Sequence, residues 1–209
     1  MSLLFILKIV ALLIASYVVG SITTGDIVAR IKKVNLRGSG SGNVGATNVF
    51  RTMGPASGVI VLVGDALKGI IAVLLGNLIR VSGFDLSIAT GIMAIIGHNW
   101  PVFSGFKGGK GMAVSLGVAI ALAPMILIVL IPVWAIVFVC FGYVSLASII
   151  AAVFYPLVVY LFYAQDIYLL IFSICGAVIV IFRHKSNIAR LFKGEEHRIL
   201  YQKKKGSNS

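Results

Sequence analysis

Long apolar runs separated by short polar stretches set the pattern of this chain. Leu3 to about Ala29 is apolar apart from Lys8 near its start and Asp26 near its end. Met53 to Ile79 repeats the pattern, with Asp65 and Lys68 inside it. Leu86 to Ile96 is apolar but brief, and from Met112 to Phe182 the one charge is Asp166. About 20 apolar residues cross a hydrocarbon core of about 30 Å, so these runs predict membrane helices. Residues 3–29 are expected to be a retained first span, because the run is long and no basic start precedes it, unlike a signal peptide.

Composition removes the soluble alternatives. Of 209 residues, 59% are hydrophobic and 11% charged, which no soluble domain of this length requires. The net charge of +12 comes from 18 Lys and Arg against 6 Asp and Glu. In a soluble protein that balance points to nucleic acid. Here it is explained by positive-inside loops, with anionic lipid headgroups as partners and no nucleic acid. Cys140 and Cys175 lie in apolar runs without C-x-x-C spacing and read as small core hydrophobes.

Charge also fixes the direction of threading. Arg30, Lys32, Lys33, Arg37 and Arg51 fall in the first polar region, and Lys107 and Lys110 in the second. Arg183, Lys185, Arg190, Lys193, Arg198 and Lys203 to Lys205 fall in the tail, while Arg80 alone must face the other way. All three basic regions are therefore expected on the cytoplasmic side. Cytoplasmic regions are separated by an even number of crossings, and 112–182 is too long for two. Breaks near Pro124, Gly142–Tyr143 and Gln165–Asp166 divide it into four. The expectation is an all-α polytopic membrane protein of seven transmembrane helices, with the N-terminus outside and the C-terminus cytoplasmic. Residues 1–198 form its single membrane domain, and 199–209 a basic, disordered tail.

Two spans come out short. The run 112–123 gives about 18 Å of helix, and 86–96 is no longer. The stretch Gly97–Gly111 must then supply part of the membrane depth. Irregular backbone is tolerated there only where it lines a buried or watery cavity, so Gly-rich loops are expected to form a cytosol-facing pocket.

The polar stretches carry the candidate chemistry. Gly38-Ser-Gly-Ser-Gly-Asn-Val-Gly-Ala-Thr-Asn-Val-Phe-Arg51 is a Gly-rich, donor-rich, acid-free loop closed by a guanidinium, which suits an anion. A plain connector between spans needs neither so many donors nor the exclusion of acids. Lys107-Gly-Gly-Lys-Gly111 adds two cations and open backbone amides. It fails the P-loop pattern: Ser104 stands where the first Gly belongs, and Gly111 where Ser or Thr follows the Lys. A looser phosphate cradle remains, against the alternative of an ordinary positive-inside loop. His98, before Trp100-Pro101, reads equally as a base or as an interfacial residue.

His184, Asn187 and Arg190 are spaced i, i+3, i+6, so on a helix continuing from the last span they share one stripe. The competing reading is a basic amphipathic tail on anionic lipid. Asp65 and Lys68, i and i+3 within a span, are expected to pair, in a structural role at least as readily as a catalytic one. Three His and few carboxylates give no metal-ligand cluster.

Three phosphate-suited stretches on one membrane face resemble a known family, the bacterial acyl-phosphate:glycerol-3-phosphate acyltransferases (PlsY). The resembling motifs are GSGNVGATNVFR at Gly40–Arg51, GHNWPVFSGFKGGKG at Gly97–Gly111, and HKSNIARL with GEEH at His184–His197. GSITTG at Gly20–Gly25 and DALKG at Asp65–Gly69 extend the likeness over nearly the whole chain. The resemblance implies seven spans, a cytosolic active site in a bacterial plasma membrane, and no cofactor. It implies transfer of a fatty acyl group from acyl phosphate to the 1-hydroxyl of glycerol 3-phosphate, giving lysophosphatidic acid. The implied partners are those two substrates, membrane lipid and the enzyme that forms the acyl phosphate. Ser41 and Arg51 are implied to bind phosphate, with Asn43, Thr47 and Asn48 shaping their loop. Lys107, Gly108, Gly109 and Lys110 are implied as the second cradle, and His184, Asn187, Arg190 and Glu196 as the completion of the site. Met112-Ala-Val-Ser115 departs from the family's commoner Val-Ala-Thr continuation.

The rival class is a small transporter of anionic solutes. Such folds show broken helices in two related halves, and no internal repeat is present here. No His is followed five positions later by Asp, which fits a donor other than acyl-CoA or acyl carrier protein: the residues there are Phe103, Ala189 and Gln202.

Overall fold

The computed structural model describes residues 2–81 and 85–200. Among these residues, ten α-helices run in order: α1 Leu3–Ser21, α2 Thr24–Ile31, α3 Ala46–Met53, α4 Pro55–Gly76, α5 Leu86–Asn99, α6 Met112–Leu122, α7 Leu127–Phe141, α8 Val144–Tyr163, α9 Ile167–Arg183 and α10 Lys185–Phe192. Five helical stretches are long and apolar enough to cross a membrane: Leu3–Ile31, Pro55–Gly76, Leu86–Ser104, Pro124–Phe141 and Val144–Tyr163. α9 and α10 are bent by 57° about His184, and α6 is a shorter apolar helix.

The breaks expected inside 112–182 are present, each with a local cause. Ala123 ends α6, and a 3-10 turn over Pro124–Ile126 leads into α7. Gly142 ends α7 in the left-handed region at φ 76°, which glycine alone adopts freely. Asp166 starts α9 by accepting from the Leu169 amide at 2.9 Å.

α4 and α5 form the centre. α1 and α4 pack on α5, and α6 packs on α4; α7, α8 and α9 follow as a second layer. Small residues let the central backbones touch. A Cβ at Gly97 on α5 would overlap the Tyr17 carbonyl oxygen of α1, and one at Gly117 on α6 would overlap the Ala66 carbonyl oxygen of α4.

Several expectations are corrected. The first span, Leu3–Ile31, keeps its expected extent but breaks at Ile22–Thr23 between α1 and α2. Leu86–Ile96 is extended by Gly97, His98 and Asn99, which stay helical and buried. The Gly-rich loop ends at Gly45, so Thr47, Asn48 and Arg51 stand on α3. Cys140 and Cys175 are exposed on the outside of the helices, not in the core. The short turn expected over 80–85 lies partly, and the tail at Lys203–Ser209 wholly, outside the described residues.

Candidate active site

The Gly-rich loop is shaped from inside by one amide. Gly40 and Gly42 turn it through positive φ, 58° and 70°. Buried Asn48, reaching in from α3, accepts from the Ser41 amide at 2.8 Å and donates to the carbonyls of Asn43 at 2.9 Å and Ser39 at 3.1 Å. Asn43 in turn accepts from the Gly45 amide at 2.8 Å.

The second stretch is clamped from both sides. The Gly109 amide donates to the His98 carbonyl at 3.1 Å, and Arg183 donates to the Gly109 carbonyl at 2.5 Å. Arg183 also reaches the carbonyls of Gly108 at 3.3 Å and Asn99 at 3.2 Å, and lies over the Trp100 ring. A Cβ at Gly108 would overlap the His98 carbonyl oxygen, and one at Gly109 the His98 ring, so the glycines are required by close approach.

The third stretch supplies an alternating chain of charge. The Lys110 ammonium donates to the Asn187 carbonyl oxygen. Asn187 donates to Glu196 at 2.8 Å, Arg190 pairs with Glu196 at 2.7 Å, and Ser145 donates to it at 3.1 Å. Arg51 donates to the His197 carbonyl at 2.9 Å, while its buried Nε has no hydrogen-bond partner. Burial raises Glu196, but the bonds from Asn187 and Arg190 outweigh it and hold the carboxyl below its ordinary range. Burial is the largest influence on Lys110; Glu196 opposes it, Arg190, Arg51 and Arg183 add to it, and the ammonium is pushed down to about 8.

These elements enclose a cavity of about 360 Å³. Ser41, Asn43, Lys107, Gly108, Lys110 and Arg190 line it, together with Arg37, Arg183 and Ser186, which sequence reasoning did not single out. Five cations face it and, among the described residues, no acid. Such a wall holds an anion, and its size and two-sided charge suit phosphate groups.

The match to known proteins is decisive. Residues 10–194 match the family described as glycerol-3-phosphate acyltransferase. The chain belongs to that family. It is 47% identical to the glycerol-3-phosphate acyltransferase of Desulforudis audaxviator, over 97% of this chain and all of that relative. It is 43% identical to that of Aquifex aeolicus, over 92% of this chain and all of that one. Among solved structures it is similar to the crystal structure of PlsY (YgiH), an integral membrane glycerol 3-phosphate acyltransferase, in its glycerol 3-phosphate form. There the TM-score is 0.86 at 40% identity, over 93% of this chain and 99% of the other. The lysophosphatidic acid form gives 0.83 at 40% identity, over 91% and 94%.

Within this acyltransferase, the expected site residues separate into two groups. Thr47, Asn48, Arg51, Gly109, His184, Asn187 and Glu196 do not line the cavity. Most of them hold residues that do. The expected stripe of three is also broken. The helix interrupts at His184, whose Nδ1 is 2.8 Å from the Val180 carbonyl, and Asn187 and Arg190 alone share α10. Arg183 was legible only as one more tail cation. Its signal was its place at the last turn of the apolar run, beside His184.

Proposed function

We propose that this acyltransferase moves a fatty acyl group from acyl phosphate to the sn-1 hydroxyl of glycerol 3-phosphate. The products are lysophosphatidic acid and inorganic phosphate. One observation carries the reading: a single cavity with five cations and no described acid, for a reaction in which both substrates bear phosphate. The acceptor oxygen attacks the acyl carbon, the bond from that carbon to the phosphate oxygen breaks, and phosphate leaves with the electron pair. A mixed anhydride is already activated, so positioning and charge stabilisation suffice.

In this reading Ser41, Lys107, Lys110, Arg190 and the Gly108 amide hold phosphate, while Arg51, which does not line the cavity, adds positive charge beside Arg190 and Glu196. Asn43, Thr47, Asn48 and Gly109 shape the two loops, and Asn187 and Glu196 aim Lys110 and Arg190. The hydroxyl proton passes to the donor phosphate. That choice is favoured over His184 as the base because the His184 ring does not line the cavity.

The membrane arrangement belongs to the same proposal: one seven-span domain over 1–198 with a basic cytoplasmic tail. The N-terminus lies outside and the site faces the cytoplasm of a bacterial plasma membrane, where the acyl-phosphate-forming enzyme delivers the donor. Five long stretches and the bent α9–α10 pair give up to six candidate spans, and the proposal counts short α6 as the seventh. Cysteines at Ser39 and Asn77 are expected to react with impermeant reagent from opposite sides; reaction from one side refutes the count. For the chemistry, purified protein in lipid receives glycerol 3-phosphate and one donor at a time. Lysophosphatidate and free phosphate are expected with acyl phosphate alone, and equal turnover with acyl-CoA refutes the donor assignment.

A further inference from the structure

Asp65, Lys68 and His98 lie outside the phosphate cavity, yet they form the most deeply buried ionisable cluster described, at 1%, 5% and 3% exposure. The Lys68 ammonium has three hydrogens and three acceptors: Asp65 at 3.0 Å, the Ile22 carbonyl at 2.8 Å and His98 Nδ1 at 3.0 Å. Thr24 completes Asp65 at 2.9 Å. The Ile22 carbonyl is available because α1 has ended there, so the cluster ties the α1–α2 break to α4 and α5. An ammonium has no lone pair, so His98 Nδ1 must accept, which leaves the ring proton on Nε2. That edge of the ring abuts Gly109, so closely that a Cβ on Gly109 would overlap Nε2.

A pair that merely pins helices together would end within the bundle. This one reaches out of it. The His98 ring presses on Gly109 and the His98 carbonyl takes the Gly109 amide at 3.1 Å, while Arg183 holds the Gly109 carbonyl from the far side. Lys110 follows directly in the chain and lines the cavity.

We propose that Asp65, Lys68 and His98 are positioning residues that fix the Gly108–Gly109 backbone and thereby present Lys110 to the phosphate of the substrate. The substrate part of this statement rests on the acyl-transfer reading; the backbone part does not. Lys68 locks the imidazole tautomer and rotation, the imidazole locks Gly109, and Gly109 sets where the Lys110 side chain departs.

The test is the double variant Asp65→Asn/Lys68→Met, which removes both charges together and so avoids leaving one buried and unpaired. Two quantities are read on the full-length protein in lipid: amide hydrogen exchange over 107–112, and KM and kcat for glycerol 3-phosphate. Exchange is expected to quicken by about tenfold or more as the segment loosens. KM is expected to rise by about tenfold with kcat within about threefold, because a displaced cation weakens binding more than chemistry. If the double variant does not fold, His98→Leu takes its place, since it leaves the ion pair whole and removes the ring. His98→Gln should restore wild-type values, because its amide can accept from Lys68. Unchanged exchange, unchanged KM, or no difference between His98→Leu and His98→Gln overturns the proposal. Wild-type protein that does not convert glycerol 3-phosphate refutes the acyl-transfer reading instead, and exchange then judges the clamp alone.

Discussion

α5 and α7 are both strongly apolar, and they live in different surroundings. Of the stretch Leu86–Ser104, 61% is buried in protein; of Pro124–Phe141, 6% is. α5 brings Gly97, His98 and Asn99 into the interior, whereas α7 has no fully buried residue. The contrast teaches where this fold places its polar chemistry. Every titratable group of the site hangs from segments that touch the α4–α5 centre or the end of α9. The α7 wall adds apolar surface, the Trp134 indole that donates to Ser148 at 3.2 Å, and at its end the Gly142 carbonyl, which accepts from the Ile199 amide at 2.9 Å.

The contrast breaks most severely at the central crossing. Gly97→Val puts a side chain into the Tyr17 carbonyl and the Ser21 amide of α1, where backbone cannot yield cheaply. Overpacking of this kind costs about 1–3 kcal/mol or more. The variant is expected to lose most of its folded yield, read as the monodisperse fraction on size exclusion in detergent.

A middle-sized effect sharpens the electrostatic side. Lys110 in the free protein titrates near 8, so its charge is complete well below that pH and is lost as pH rises through it. With phosphate binding dependent on that charge, kcat/KM for glycerol 3-phosphate should fall on the alkaline side by about tenfold per 1.4 kcal/mol of lost contact. Lys110→Arg cannot deprotonate in this range, so its profile should stay flat through pH 8–9 even where its absolute rate is lower. An identical alkaline fall in both proteins assigns the titration elsewhere. The smallest effect belongs to α7: Ile136→Ala, at a side chain 63% exposed, should change stability by less than about 0.5 kcal/mol in a thermal melt.

How far the sequence reached follows from how local each signal is. The breaks at Pro124, Gly142 and Asp166 were readable because a proline, a left-handed glycine and a capping carboxylate act on their own turn of helix. The end of α5 was misplaced because apolar counting stops at Ile96, while His98 is kept helical and buried by Lys68, thirty positions away. The cysteines were misassigned for a related reason. Lipid and protein core are equally apolar, so a run of Val, Ile and Phe does not say which it faces. In the candidate site, the three polar and basic stretches were legible as parts of one cationic pocket. The division of labour within them was not, because it depends on which amides and carbonyls meet across the fold. Asn48 is occupied with the backbone of its own loop, while Arg183 reads like a tail charge and pins the second cradle.

One detail bears on the order of events during synthesis. The carboxylate that joins Ser145, Asn187 and Arg190 is residue 196, and the carbonyl that receives Arg51 is residue 197. Translation adds both only after the residues of α1 to α10 have been joined. Until then Arg190 and Arg51 stand without their partners, and the walls of the cavity are tied at one end alone. The site therefore cannot be completed until the chain beyond α10 has been made, so its closure is a late step of synthesis.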